Sequence, residues 1–166
     1  IMGHATAAQL IRQHTTPPPA AAAPAAPQDA GEPVESSPAS LPLEIYESAL
    51  RGELQKVIKW VRKGGRVDAL WSTTTKSGEL TACALLHAAA ANGHLELVRE
   101  LLERGASVNL PNSLGGTALM DAACHGHLSL VLVLRQHSAS IGLRANNGGT
   151  ALMGAADKGH EACVKA

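Results

Sequence analysis

Apolar residues recur along this chain at the spacing of short amphipathic helices. The clearest stripe of leucine and valine lies on one helical face and consists of Leu95, Val98, Leu101 and Leu102. Arginine and glutamate supply much of the opposite face. A run of mostly small residues over 86–90 predicts another helix ahead of this one in the chain. That helix ends near Asn92 and Gly93, because glycine tolerates the left-handed conformation of a helix stop. The pattern predicts a helix, a tight turn and another helix.

The same unit returns at a fixed interval. The pair Gly-His occurs at 93–94, 126–127 and 159–160, so the period is 33 residues. The string Gly-Thr-Ala-Leu-Met begins at Gly116 and returns at Gly149. Helices of roughly ten residues are marginal in isolation. Their stability must therefore come from stacking on neighbouring units, as in a repeat protein.

The best copy of the unit resembles the ankyrin repeat. It reads Ala-Leu-Leu-His-Ala-Ala-Ala-Ala-Asn-Gly-His-Leu-Glu-Leu-Val over 84–98 and closes with Leu-Leu-Glu-Arg-Gly-Ala-Ser-Val-Asn over 101–109. The resemblance implies an all-α fold, an ankyrin-repeat solenoid of helix-turn-helix units with hairpin finger loops. The repeat domain is expected over 43–166, with repeats at about 43–76, 77–114, 115–147 and, truncated, 148–166.

The later copies depart from the family pattern at three places. Ala118 and Ala151 stand where the family has proline, and Met120 and Met153 stand where it has histidine. Ser138 replaces the glycine that follows the second helix. Loss of proline is expected to soften the first turn of the inner helices, since proline presets φ there. The fold assignment is unchanged.

The first 42 residues divide into two segments. Residues 1–14 match the second helix of a later unit at identical offsets, so we interpret them as the second helix of a truncated ankyrin repeat. Residues 15–42 form a Pro/Ala-rich linker, since dense proline excludes helix and strand interiors. This linker either joins two arrays or is held against a partner or the repeats. Because the chain also stops inside a repeat, we expect the natural protein to be longer at both ends.

One finger loop is longer than the period allows. Gly52 and Gly93 are 41 residues apart, eight more than the period, and the surplus falls between Leu70 and Cys83. Insertions in repeat proteins map to loops, often on the binding face. Trp71, in this loop, has two interpretations. It either contacts a partner, since tryptophan is enriched at interface hot spots, or folds back over the edge of the stack.

Composition and charge narrow the class of partner. Hydrophobic residues make up 45% of the chain but aromatic residues only 2%, so the core must consist of Ala, Leu and Val. With 14 basic and 14 acidic residues, the chain lacks the positive surface that nucleic acid or an acidic membrane would require. No apolar run predicts membrane insertion. The three widely spaced cysteines favour a reducing, intracellular setting, with the cytoplasm as the default.

The candidate chemistry predicts structural roles rather than catalysis. His94, His127 and His160 recur at the repeat period, which predicts hydrogen bonding in turns and between repeats. His125 does not recur and is a contact candidate. Cys124 precedes it directly, but adjacent residues on a helix do not face each other, so they cannot form an activated thiol pair. We expect no catalytic site, no metal site and no cofactor.

The resemblance implies a protein-protein interaction module or scaffold that binds a partner protein through its concave face and finger loops. The family places contacts at variable loop and inner-helix positions, which here are Trp71, Asn92, Ser113, Leu114, Cys124, His125, Arg144, Asn147, Asp157 and Lys158. Two alternatives stay open. The chain could be the targeting domain of a larger enzyme of the kinase or ubiquitin ligase type, or a permanently bound subunit of a large assembly.

Overall fold

A computed structural model describes residues 40–74, 76, 78 and 80–166. The predicted helix over 1–14 lies outside these residues, as does the predicted linker over 15–42 except for its last three positions. Those positions contact the repeats: Leu41 is only 4% exposed, and Ser40 forms a parallel bridge with Leu70. Burial of Leu41 therefore begins the core two residues before the first described helix.

Short helices dominate the described residues, with one pair of strands between the second and third helices. The elements are α1 (Leu43–Leu50), α2 (Leu54–Arg62), β1 (Leu70–Thr74), β2 (Leu80–Ala84), α3 (Leu85–Ala91), α4 (Leu95–Glu103), α5 (Ala118–Cys124), α6 (Leu128–Gln136), α7 (Ala151–Asp157) and α8 (Glu161–Lys165). The helix-turn-helix pattern predicted from the sequence is confirmed in each successive pair of helices.

The helices stack in two layers. Helices α1, α3, α5 and α7 contact one another in order, and α2, α4, α6 and α8 do the same behind them. Each helix of the first layer also packs on its partner in the second. The buried core is made mainly of Ala, Leu and Val, as the composition predicted. Such small side chains allow helices to approach closely without leaving voids.

The buried stripe of α4 is wider than the sequence predicted. Leu97, Val98, Leu101 and Leu102 are buried, whereas Leu95 is only partly buried. The predicted stripe contained Leu95 but not Leu97. The difference arises because α4 contacts α3 on one side and both α2 and α6 along its own layer. A helix with three neighbours buries a broader arc than one helical face.

Histidine side chains link each repeat to the one before it, as their spacing predicted. In each case the Nε2–H donates to a backbone carbonyl at the end of the preceding first-layer helix: His94 to Leu50 at 2.7 Å, His127 to Ala91 at 3.1 Å and His160 to Cys124 at 3.1 Å. Each ring also lies against a glycine of the preceding turn, namely Gly52, Gly93 and Gly126. A Cβ at Gly93 would lie 2.8 Å from the His127 ring. The glycines are needed for both positive φ and close approach.

The long finger loop is a two-stranded antiparallel sheet. Strands β1 and β2 pair in a register that places Leu70 opposite Ala84 and Thr74 opposite Leu80. In the middle of β2, the oxygen of Ala82 accepts from the backbone N–H of Ser113 at 3.0 Å, which joins the next finger to this hairpin. The eight surplus residues therefore lengthen a hairpin and leave the helix stack in phase.

Candidate functional site

The candidate site is an open groove of about 600 Å³ between two finger turns and the first-layer helices α5 and α7. The residues that line it are Asn112, Leu114, Gly116, Met120, Asp121, Cys124, Ala145, Asn146, Asn147, Gly149, Thr150, Met153, Gly154 and Asp157. A groove of this volume lies within the range of protein ligand sites. Two consecutive repeats form the groove together, because each of them supplies one finger turn and one helix.

Side-chain hydrogen bonds shape the first finger turn. The Asn112 Oδ1 accepts from the backbone N–H groups of Leu114 and Gly116, each at 2.9 Å. Asparagine favours such turns because its short side chain replaces a backbone acceptor. The turn holds the Leu114 side chain outward, where it is 64% exposed. A large apolar side chain is thus presented to solvent on a tight, hydrogen-bonded turn.

The two finger turns are bonded to each other. The backbone N–H of Asn146 donates to the oxygen of Leu114 at 2.9 Å, and the Asn146 Nδ2 donates to the oxygen of Ser113 at 3.2 Å. Within the second turn, the Asn147 Oδ1 accepts from the backbone N–H of Gly149 at 2.9 Å. These bonds fix the spacing of the two walls of the groove.

Threonine side chains cap the helices that form the floor. The Thr117 Oγ1 accepts from the backbone N–H of Met120, and the Thr150 Oγ1 accepts from that of Met153. Threonine is a favoured N-cap because it satisfies a backbone donor that has no partner within the helix. These caps act where Ala118 replaces the family proline, which accounts for ordered first turns without it. The methionines are thereby fixed on the first turn of each helix.

The groove has an unusual carboxylate. Burial raises the pKa of Asp121 to about 6 from the ordinary 3.8, and the nearby His125 only partly opposes that effect. After burial, which is the largest cause, the charge of Asp121 also contributes to raising the pKa of the Tyr46 hydroxyl and the Cys83 thiol. Asp121 therefore lies close to the base of the long hairpin as well as in the groove.

Four of the ten predicted contact residues line this groove: Leu114, Cys124, Asn147 and Asp157. They belong to two finger turns and two helices, and the fold brings them to one surface. Lys158 follows Asp157 directly and is exposed, but it does not line the groove. The fold therefore places four of the predicted contact residues in the groove and the other six outside its lining.

Two further predicted residues lie beside the groove. Ser113 and Arg144 line a neighbouring depression of about 330 Å³ between the same fingers, together with Pro111 and Leu143. Both predicted residues are exposed. They extend the candidate surface along the fingers.

Asn92 and His125 stand at the ends of their helices, away from the groove lining. The Asn92 Nδ2 donates to the oxygen of Ala88 at 2.9 Å, and the His125 Nδ1–H donates to that of Asp121 at 2.8 Å. The His125 ring also stacks on that of His127, with centroids 6.1 Å apart. These side chains satisfy carbonyls near the helix ends, where the helix supplies no partner, and both residues remain exposed.

Trp71 is partly buried at the base of the long hairpin. Its ring stacks on that of Tyr46, with centroids 4.5 Å apart and planes 11° from parallel. Both rings pack against the core cluster. Of the two interpretations of Trp71, the geometry favours the one in which its side chain folds back over the stack.

Among the groove residues that sequence reasoning missed are three helix side chains: Met120, Asp121 and Met153. The departure of both methionines from the family histidine was visible, but it was interpreted only as lost regularity. Asp121 occupies the repeat position held by Ala88 one period earlier and by Gly154 one period later. A carboxylate between two small residues at an inner-helix position was the signal that pointed to it.

A second cavity, of about 370 Å³, lies among α5, α6, α7 and α8. Buried side chains such as Leu119 and Cys163 line it together with exposed apolar ones such as Ile141 and Leu152. Among the described residues there is no group of three or more side chains placed to hold a metal ion. In that same part of the chain, every helix is too short or too polar to cross a bilayer.

Comparison with known proteins gives one family. A family model described as "Ankyrin repeats (3 copies)" matches residues 49–145 and, in an overlapping match, residues 86–166. The chain is also 62% identical, over 37 residues, to the "Probable E3 ubiquitin-protein ligase XBOS33" of Oryza sativa subsp. japonica. That stretch is 22% of this chain and only 7% of the rice protein, so the chain spans a small part of that relative.

Proposed function

Because this chain belongs to the ankyrin repeat family, whose repeats are protein-protein interaction modules, we propose that it grips a partner protein on the concave face of a solenoid. The contact surface is the groove between the finger turns, α5 and α7. The convergence of Leu114, Cys124, Asn147 and Asp157 on this groove carries the proposal.

Exposed apolar side chains at the groove support a binding role. Leu114 is 64% exposed and Met153 is 57% exposed, and both line the groove. Apolar groups at the centre of a surface with polar neighbours are typical of interaction sites. Methionine adapts its shape to different partners because its side chain is unbranched and polarizable.

The groove is also preorganised. The two finger turns are hydrogen-bonded to each other through Asn146, and the helices below begin with threonine caps. A rigid frame lowers the conformational entropy lost on binding. The apolar anchors are thus held in place before a partner arrives.

Charged substitutions of Leu114 and Met153, the exposed apolar side chains of the groove, test this proposal. The double variant Leu114→Asp/Met153→Asp should bind a partner captured from native lysate at least about tenfold more weakly than the original chain, since hot-spot changes exceed about 1.4 kcal/mol. Affinity capture identifies the partner, and biolayer interferometry of the purified pair measures the affinity.

Leu132→Asp is the matched control. Leu132 is 43% exposed on α6, in the second helix layer and outside the groove lining. This variant should retain the partner, and all variants should show cooperative thermal unfolding. Equal retention of the partner by the groove variant and by the control would place the binding surface elsewhere.

A second candidate function is substrate recognition for a larger ubiquitin ligase. Only the similarity to the rice protein favours it, through a stretch little longer than one repeat. On this proposal, the full-length natural protein transfers ubiquitin to the captured partner in a reconstituted reaction, while the repeats alone bind without transfer. A full-length protein that binds the partner but supports no transfer would eliminate this candidate. Fixed-stoichiometry co-purification would instead indicate a permanent subunit.

We further propose that the chain binds rather than catalyses, in a reducing compartment inside the cell. The His125 Nδ1–H donates to the carbonyl of Asp121, and within the described residues no hydrogen bond joins this ring to the adjacent Cys124 thiol. Cys83, Cys124 and Cys163 are free thiols in the described part of the chain, which supports the reducing setting.

A further inference from the structure

Asp121 is an uncompensated carboxylate in the floor of the groove. Within the described part of the chain, no side chain donates a hydrogen bond to it and no lysine or arginine forms an ion pair with it. Its charge is opposed only by the nearby His125. Carboxylates that lose solvent without gaining a cation destabilise a fold, so such a residue is unexpected in a purely structural position.

The rest of the groove is apolar or neutral, apart from one more carboxylate. Leu114, Met120 and Met153 provide the apolar surface, and Asp157 is the other charged group. Among the described residues that line the groove there is no lysine and no arginine. The groove thus has negative charge and apolar surface, although the whole chain has a formal net charge of zero.

This combination selects one kind of occupant. A phosphate-bearing ligand would be repelled, and a wholly apolar segment would leave Asp121 further desolvated without a partner. A cationic side chain flanked by apolar residues satisfies both features. Arginine fits better than lysine, because its planar guanidinium is more weakly hydrated and can donate two hydrogen bonds to one carboxylate.

We infer that the groove binds a protein segment with an arginine or lysine among apolar residues, and that Asp121 pairs with that cation while Leu114 and Met153 contact its apolar neighbours. This inference rests on the proposed function, since it specifies the partner of the same groove. Asp121 is then the residue that determines specificity, at the expense of stability.

Selection from a display library of random short peptides against the purified chain tests the inference. The enriched peptides should share one arginine or lysine next to leucine, isoleucine, phenylalanine or methionine, and should be depleted in aspartate and glutamate. Selection against Asp121→Asn should lose the basic preference but keep the apolar one. Glu103→Gln is the control, because it neutralises an exposed carboxylate on α4 outside the groove lining, and it should keep the basic preference.

A double-mutant cycle then assigns the pairing. For the best peptide, its Arg→Gln analogue and the Asp121→Asn chain should each bind about tenfold more weakly, and the two changes together should be little worse than either alone. Additive losses would overturn the pairing. Thermal unfolding of Asp121→Asn, expected at an equal or higher temperature, separates lost pairing from lost folding.

The outcomes distinguish the two proposals. If peptides are enriched without a basic preference, the groove binds protein segments but the inferred pairing is wrong. If no peptide is enriched by the original chain, or if Leu114→Asp/Met153→Asp enriches the same peptides as the original chain, the groove itself is not the binding surface.

Discussion

At the residue scale, Asp121 shows how a single side chain can oppose stability. Its folded pKa of about 6 lies above the ordinary 3.8, so the folded state favours the protonated form. The destabilisation is therefore fully present above about pH 6 and disappears as the pH falls below 3.8. The groups around it are His125 at the end of its own helix, Tyr46 and Cys83 on α1 and β2, and Asp157 in the groove.

Asp121→Asn is accordingly expected to stabilise the fold at neutral pH. One pKa unit corresponds to about 1.4 kcal/mol, and partial solvent screening reduces the full effect, so we expect a gain of about 1–2 kcal/mol in the free energy of unfolding near pH 7. Urea unfolding of both proteins over a pH series measures the gap. A gap that stays constant as the pH falls below 3.8 would mean that the carboxylate charge is not its cause.

At the element scale, helix α6 ends differently from α4. Ser138 follows α6 with φ of 65°, the one described non-glycine residue with positive φ, whereas Gly105 follows α4 with φ of 83°. The two positions are one 33-residue period apart. An L-residue in the left-handed region is strained by roughly 1–2 kcal/mol, because its Cβ approaches the following carbonyl oxygen.

Ser138→Gly should therefore stabilise the protein by about 0.5–1 kcal/mol, since relief of strain exceeds the extra freedom of glycine in the unfolded chain. The reciprocal change, Gly105→Ser, should destabilise it by a similar amount. Chemical denaturation of both variants provides the measurement. Destabilisation by Ser138→Gly would show that the serine side chain makes a compensating contact.

At the scale of the whole molecule, stability depends on the contact of each repeat with the next. The His127 ring packs against Gly93 of the preceding repeat while its Nε2–H donates to Ala91. In the described part of the chain, each helix pair from the second onward has such a histidine, which contacts the pair before it. The described repeats are therefore stabilised by a series of nearest-neighbour interfaces.

Gly93→Ala and Gly105→Ala separate this contact from backbone strain. The two glycines have similar φ values, 78° and 83°, but a Cβ at Gly105 would have nothing within 4 Å. Gly105→Ala should cost about 1 kcal/mol for strain alone. Gly93→Ala should cost about 1–3 kcal/mol more, because the His127 ring must move and lose its hydrogen bond.

Thermal and urea unfolding measure both losses. In the double variant Gly93→Ala/His127→Ala the added methyl group no longer meets the ring, so the total loss should be less than the sum of the two single losses. Equal losses for Gly93→Ala and Gly105→Ala would contradict a role for the glycine in accommodating the histidine.

The sequence by itself determined the helix pairs, the period, the family and the histidine links, because each depends on local spacing that repeats. It also indicated the hairpin insertion and four residues of the groove. It did not determine the buried stripe of α4, since that depends on how many helices surround it. Nor did it determine that Trp71 stacks on Tyr46, a contact between residues of different elements.

Only the tertiary structure decided the character of the groove. In the sequence, the residues Met120, Asp121 and Met153 are ordinary helix residues. Each of them lines a groove only because the finger turns pack opposite it. The pKa of Asp121 is raised by burial, which the stacking of α5 between its neighbours produces. Local patterns fix which elements form, whereas the solvent exposure and charge environment of a side chain depend on residues far away in the chain.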